Sequence, residues 1–216
     1  YFLVDFAQAI KHLRALEALS VIIYAIKDRL VIRPIMEFVK NLTNIKRFSL
    51  LLSTSYVLNI YESQKLCQLL RSKTCFEKLR LGMYAECLTG EISSLFPSFK
   101  ENNNLKNIGI SSELWTPKDT KKLVELNKYL AEKKISIKSF KLCLISSALS
   151  DFSYFPLAIE SLGLLASLEK LSLKLPDMPE DVILNVIHHI SILFKRLKAI
   201  KLSLDLSNDP QAIPLL

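Results

Sequence analysis

Three histidines, four cysteines and the carboxylates are the residues of this chain equipped for acid-base, nucleophilic or metal chemistry. Their spacing speaks against each. His188 and His189 are adjacent, and neighbours on a helix point about 100° apart, so the two cannot close on one ion; His12 lies at the far end of the chain. Cys67, Cys75, Cys87 and Cys143 are separated by 8, 12 and 56 residues, without the closely spaced ligand pairs that zinc requires. Ser167-Leu168-Glu169-Lys170 fits the SxxK pattern of acylating enzymes. That pattern belongs at the start of a helix, whereas here it runs into a predicted strand. Glu180 and Asp181 read as charges at a helix N-terminus. The four glycines, Gly82, Gly90, Gly109 and Gly163, are never closer than eight residues, so no phosphate-cradling GxGxxG or GxxxxGK[ST] loop can be written. No catalytic residue, metal-ligand set or cofactor is assigned, and the expectation is a protein that is not an enzyme.

The elements carrying these residues belong to a folded chain. It has 216 residues, half of them apolar and 23% charged, enough for a sizeable core without disulfide staples. The longest apolar stretch, 19–26, is far short of the roughly 20 residues that span a bilayer, so no membrane span is expected. Scattered single cysteines read as small buried hydrophobes in a reducing compartment, which places the chain in the cytoplasm; the lone sequon Asn41-Leu42-Thr43 is set aside as a chance tripeptide. Both ends, at Tyr1 and at Pro214-Leu215-Leu216, read as cut from a longer polypeptide.

One apolar pattern, x-x-spaced then x-spaced, recurs seven times: Leu16, Leu19, Val21; Ile45, Phe48, Leu50; Phe76, Leu79, Leu81; Leu105, Ile108, Ile110; Ile137, Phe140, Leu142; Leu168, Leu171, Leu173; Leu197, Ile200, Leu202. Successive third anchors are 29, 31, 29, 32, 31 and 29 residues apart. Between triplets the apolar period switches from about 2 to about 3.6, the mark of a strand followed by a helix. Thr116-Pro117-Lys118-Asp119 predicts a helix start, with a cap, proline at the first position and an acid in the first turn. Asp177 to Asp181 opens another, whose buried stripe is Val182, Val186, Ile190, Leu193 and Phe194. Further helices are predicted near 28–40, 61–72, 88–100 and 155–165.

Over residues 13–206 the chain resembles the leucine-rich repeat superfamily, in its long-repeat, ribonuclease-inhibitor-like form. The strongest matches are Leu165, Leu168, Leu171 and Leu173, and Phe194, Leu197, Ile200 and Leu202. Where family repeats usually place Asn or Cys after the last anchor, this chain has Tyr24, Ser53, Tyr84, Glu113, Ile145, Pro176 and Asp205, so that ladder is absent and no subfamily is assigned. The resemblance implies an α/β solenoid of about seven repeats of about 30 residues, strands on the concave face and helices on the convex one. A tail helix of a preceding repeat is expected at 1–12 and the repeat domain at 13–216. The alternative, a doubly wound sheet, buries both faces of its strands; the alternation of Lys-Leu-Ser-Leu-Lys at 170–174 leaves one face wet and favours the solenoid.

On that wet face the residues flanking the second and third anchors give 21 outward positions. Seven are basic, Arg47, Lys78, Arg80, Lys141, Lys170, Lys174 and Lys201, against about three expected from composition, and none is acidic. The whole chain carries +8, from 29 basic and 21 acidic residues. Ile22, Leu51 and nearby Tyr24 form an apolar corner suited to anchoring a partner side chain. The expected function is a noncatalytic protein-interaction module, a scaffold, adaptor or ligand-sensing repeat region, binding an acidic protein partner; the alternative is nonspecific contact with a nucleic-acid phosphate backbone. The outward set contains no aromatic residue to stack on bases. Apolar ends at Phe2, Val4, Phe6 and Ile10 and at Ile200, Leu202, Leu204 and Leu206 lead to the expectation that the piece is unstable without flanking repeats or a larger assembly.

Overall fold

The computed structural model describes residues 15–24, 36, 39–41, 43–53, 60–84, 92–100, 102–112, 115–145, 154–176, 178–193 and 195–204. The tail helix expected at 1–12 and most of the helix expected at 28–40 lie outside them, although residues 36 and 39–41 are helical.

Each apolar triplet becomes a strand that starts one residue before its second anchor: β1 (Ala18–Tyr24), β2 (Arg47–Ser53), β3 (Lys78–Tyr84), β4 (Asn107–Ser112), β5 (Ser139–Leu144), β6 (Lys170–Leu175) and β7 (Ala199–Leu204). They form one open sheet, every pair parallel, in the order β1-β2-β3-β4-β5-β6-β7. Just before each strand from β2 on, two successive amides converge on one carbonyl of the preceding unit, as Lys46 and Arg47 do on Glu17 at 2.9 and 3.0 Å, and Glu169 and Lys170 on Lys138 at 2.9 and 3.0 Å. This repeated fork sets the register, so equivalent anchors stack directly: Phe48 pairs with Leu79, then Ile108, Phe140 and Leu171.

Among the described residues, α-helices with defined bounds lie between strands as α1 (Ile60–Arg71), α2 (Pro117–Glu132), α3 (Phe155–Leu162) and α4 (Glu180–Leu193). Thr116 caps α2 as expected, its Oγ1 accepting from the Asp119 amide at 3.2 Å while Asp119 Oδ2 accepts from the Thr116 amide at 2.9 Å. The helix expected at 88–100 is instead a 3-10 helix, Ile92–Phe99. Pro97 sits inside it, lacking the amide an α-helix needs there and crowding the carbonyl four residues back, and serines at 93, 94 and 98 add little helical propensity. Helix α3 stops at Leu162, short of the expected 165, because Gly163 follows and turns its amide onto Glu160 O at 2.9 Å.

Helical segments touch in chain order: α1 meets the 3-10 helix, which meets α2; α2 meets α3 and α3 meets α4. Between them and the sheet lies one core holding the anchors of β2 to β6, with Phe48 and Phe76 stacked at 5.8 Å. Val186 and Ile190 of the expected α4 stripe are buried and Val182 half-buried; the Leu193 and Phe194 side chains lie outside the described residues. The anchors at the sheet edges differ: Leu16, Leu19 and Val21 are half-buried and Ile200 is 52% exposed, because β1 and β7 have a strand neighbour on one side only. The whole is an α/β fold with a single open, all-parallel sheet of seven strands.

Candidate binding face

Alternation along a strand sends anchors into the core and their neighbours to the opposite face. Because all seven strands are in register, those neighbours line up in three rows running across the sheet. Ala18, Arg47, Lys78, Asn107, Ser139, Lys170 and Ala199 form the first; Ser20, Ser49, Arg80, Gly109, Lys141, Ser172 and Lys201 the second; Ile22, Leu51, Gly82, Ser111, Cys143, Lys174 and Ser203 the third. The seven basic side chains expected on this face all fall in these rows. Arg47, Lys78, Lys170, Lys174 and Lys201 are exposed, and Arg80 and Lys141 half-buried.

These cations differ from the other lysines on the sheet. At the residue immediately before each strand, Glu17, Lys46, Glu77, Lys106, Lys138, Glu169 and Lys198 also align, and there all but Lys138 pair: Lys46 with Glu17 at 2.7 Å, Lys106 with Glu77 at 3.3 Å and Lys198 with Glu169 at 3.1 Å. Lys46 holds the Glu17 carboxyl below its usual range and is itself pushed up by it. None of the seven outward-facing cations has such a partner among the described residues. Lys141 shows the consequence: burial lowers its pKa most, and Arg80, Lys201 and Lys78 lower it further.

The face is less wet than the alternation implied. Leu51, expected as an exposed anchor, is only 7% exposed. Its neighbour across the strand pair is Gly82, and the Leu51 Cδ2 atom would lie 2.5 Å from a Cβ placed there, so the side chain folds over the glycine toward Ser111 instead of standing out. Ser111 and Cys143 in the same row are buried too. Of the apolar corner, Ile22 is exposed at 46%, while the Tyr24 side chain lies outside the described residues.

Gly109 creates a second such seat. The Arg80 stem lies across it, Cγ within 2.7 Å of where a Cβ would be, and the guanidinium reaches on to donate from Nη2 to Ser111 Oγ at 3.2 Å. A groove of about 470 Å³ opens at the β1 to β3 end, lined by Ala18, Leu19, Ser20, Arg47, Phe48, Ser49, Lys78 and Arg80. Two of its polar atoms, Ser49 Oγ and Arg80 Nε, are buried and make no hydrogen bond. Neither the glycine seats nor these orphaned donors stood out in the sequence; the recurrence of Gly82 and Gly109 at outward strand positions was the one available signal.

Several other polar residues have structural partners. Asn102 and Asn104 donate to Lys73 O and Thr74 O at 3.1 and 2.8 Å, and the Cys75 thiol to Ile45 O at 3.2 Å, serving unpaired carbonyls of the preceding unit at the other end of the strands from the missing ladder. Cys67 is buried, accepts from Ser98 Oγ at 3.2 Å and donates to Ser94 O; burial pushes its thiol up. Cys67, Cys75 and Cys143 are free thiols. His188 and His189 lie edge to face at 6.2 Å on α4, Ser167 and Lys170 are both exposed, and no group of three His, Cys, Asp or Glu is placed to hold a metal ion among the described residues. No helix among them is long and apolar enough to cross a membrane. No protein-family model matches the chain, and no curated protein matches its sequence.

Proposed function

We propose that the chain is a leucine-rich-repeat-type solenoid acting as a noncatalytic protein-interaction module, with an acidic segment of a partner held on the basic face of its sheet. The strand order supports the solenoid. A doubly wound sheet reverses direction at a switch point to put helices on both faces, whereas this sheet grows one way from β1 to β7. Parallel crossovers are right-handed, so one direction of growth keeps every helix on one side, in keeping with helices that touch in chain order.

The observation that carries the function is the set of seven aligned cations without ion-pair partners on the opposite face, among the described residues. The lysines beside the strand starts, Lys138 apart, sit in ion pairs instead. Unpaired, mutually repelling cations on a regular surface are poised for a partner that neutralises them.

The test is fluorescence anisotropy of a labelled glutamate-rich peptide with the whole chain. Reversing Lys78, Arg80 and Lys141 to Glu is expected to remove binding, Ile22→Ala to weaken it severalfold, and Lys121→Glu with Lys128→Glu on α2 to leave it within twofold. Equal loss from the α2 pair would overturn the assignment of the face. Binding of oligothymidylate with a steep salt dependence and no response to Ile22→Ala would replace the protein partner by a phosphate backbone.

A further inference from the structure

We propose that the β2–β3 end of this face is an oxyanion pocket that takes a phosphomonoester carried on a side chain of the protein partner; this rests on the interaction-module function above and names its chemistry. In the strand register Arg47 sits beside Lys78, and Ser49 beside Arg80, with Arg47 and Ser49 two residues apart on β2 and Lys78 and Arg80 two apart on β3. Adjacent strands are about 4.8 Å apart and alternate residues about 6.6 Å. Three cationic side chains and a hydroxyl therefore rise from a patch of about 4.8 by 6.6 Å, each edge shorter than the ~8 Å screening length of physiological salt. No carboxylate lines the groove.

Two further features bear on the patch. Ser49 Oγ and Arg80 Nε are two of six buried side-chain polar atoms without a hydrogen-bond partner among the described residues, and they are the two whose residues line this groove. The Arg80 guanidinium is also held in place: its stem rests on Gly109 and its Nη2 donates to Ser111 Oγ at 3.2 Å. Gly109 is thus a positioning residue for Arg80. The pocket is open on one side and about 470 Å³, room for a phosphate with a few atoms of its peptide.

Charge and acceptor count distinguish the ligand. A carboxylate brings one negative charge and two oxygens, leaving two of the three cations uncompensated. A phosphomonoester brings −1.5 to −2 and three acceptor oxygens, which matches an arginine fork, two further cations and a hydroxyl. The other four cations, Lys141, Lys170, Lys174 and Lys201, gather around Ser172 on β5 to β7, but they include no arginine and do not line the groove.

The test uses the whole chain and three labelled peptides of one sequence, Asp-rich, carrying phosphoserine, glutamate or serine at the central position, with oligothymidylate of matched charge as a fourth probe. The phosphopeptide is expected to bind at least tenfold more tightly than the glutamate peptide and to be displaced by inorganic phosphate. Ser49→Ala and Arg80→Lys are each expected to lose about five- to tenfold for the phosphopeptide alone, with Lys128→Ala on α2 within twofold. Arg47→Gln, at an exposed position that folding does not need, provides the same readout should Arg80→Lys melt early. Equal affinity for the phosphoserine and glutamate peptides overturns the pocket and leaves the interaction module standing. Absence of binding to every peptide overturns both, and preference for oligothymidylate at matched charge overturns the peptide source in favour of a nucleic acid.

Discussion

Gly82→Ala and Gly109→Ala make the same change on the same sheet face, one strand apart, yet the structure separates their effects. At Gly82 a new Cβ meets Leu51 Cδ2 at 2.5 Å, Ser111 Cβ at 2.9 Å and Ser111 O at 3.2 Å. The leucine methyl can swing away, but the Ser111 atoms are fixed to the backbone of β4, so the sheet itself has to shift. Overpacking of this kind costs about 1–3 kcal/mol, here toward the upper end, and the entropy lost by the unfolded chain on Gly→Ala returns about 0.4–1 kcal/mol. The net expectation is a loss of about 1.5–2 kcal/mol, or a fall in Tm of about 3–8 °C at this chain length. At Gly109 every close atom belongs to the Arg80 side chain, with Cγ at 2.7 Å, Cβ at 3.0 Å and Cδ at 3.3 Å. A rotation of that flexible stem relieves most of the strain, so stability should change by less than about 0.5 kcal/mol once the same entropy is counted. The damage should appear in binding instead, because the rotation draws the guanidinium from Ser111 and from the groove; about a tenfold loss of phosphopeptide affinity is expected. Urea titration at unchanged m, thermal melting and anisotropy on the two variants separate these outcomes. Adding Leu51→Ala to Gly82→Ala should show a favourable coupling of about 1 kcal/mol, no more, since the Ser111 contacts remain. Equal destabilisation by the two glycine substitutions, or full rescue by Leu51→Ala, would refute the packing described.

Asp119 is buried and accepts from the Ser93 amide at 2.9 Å as well as from Thr116, tying the start of α2 to the 3-10 helix; Asp119→Ala strands the buried Ser93 amide and the half-buried Thr116 amide and should lower stability by about 2–3 kcal/mol in urea titration, with Thr116→Ala losing about 1. A loss for Asp119→Ala no greater than for Thr116→Ala would show that the Ser93 bond contributes nothing. Lys141 has a lowered folded pKa, so its charge opposes folding in full below that value and the opposition fades as pH rises through it toward the ordinary lysine value. Lys141→Met should accordingly be more stable than the parent near pH 7, with the gap narrowing toward about pH 10; a gap that does not move with pH would show that the ammonium carries no such strain.

Much of the architecture was legible because it depends on spacing along the chain. The inward set, Phe48, Leu79, Ile108, Phe140 and Leu171 among them, and the outward set, from Arg47 to Lys201, follow from a period of 2 that any strand must obey, and the near-constant interval between triplets put equivalent residues side by side. Thr116 announced its helix because capping is local. The interruption at Pro97 is equally local, a missing amide inside the apolar pattern of 88–100.

What the chain alone did not reveal depends on pairs about 30 residues apart. Parity tells which face Leu51 is on, but its burial depends on the missing side chain of Gly82 next to it, and that neighbour is known only once the register is known. The same holds for Arg80 lying over Gly109, for the alternation of Glu17, Lys46, Glu77 and Lys106 into ion pairs, and for Asn102 and Asn104 reaching the carbonyls of Lys73 and Thr74. Composition along the strands therefore determined that one face is basic. The stacking of repeats decided which of its cations are already neutralised, which stand unpaired among the described residues, and where two orphaned donors meet three of them. Faces are a property of a single strand, whereas exposure and pairing are properties of strands side by side, set by side-chain size and charge at positions that the chain keeps far apart.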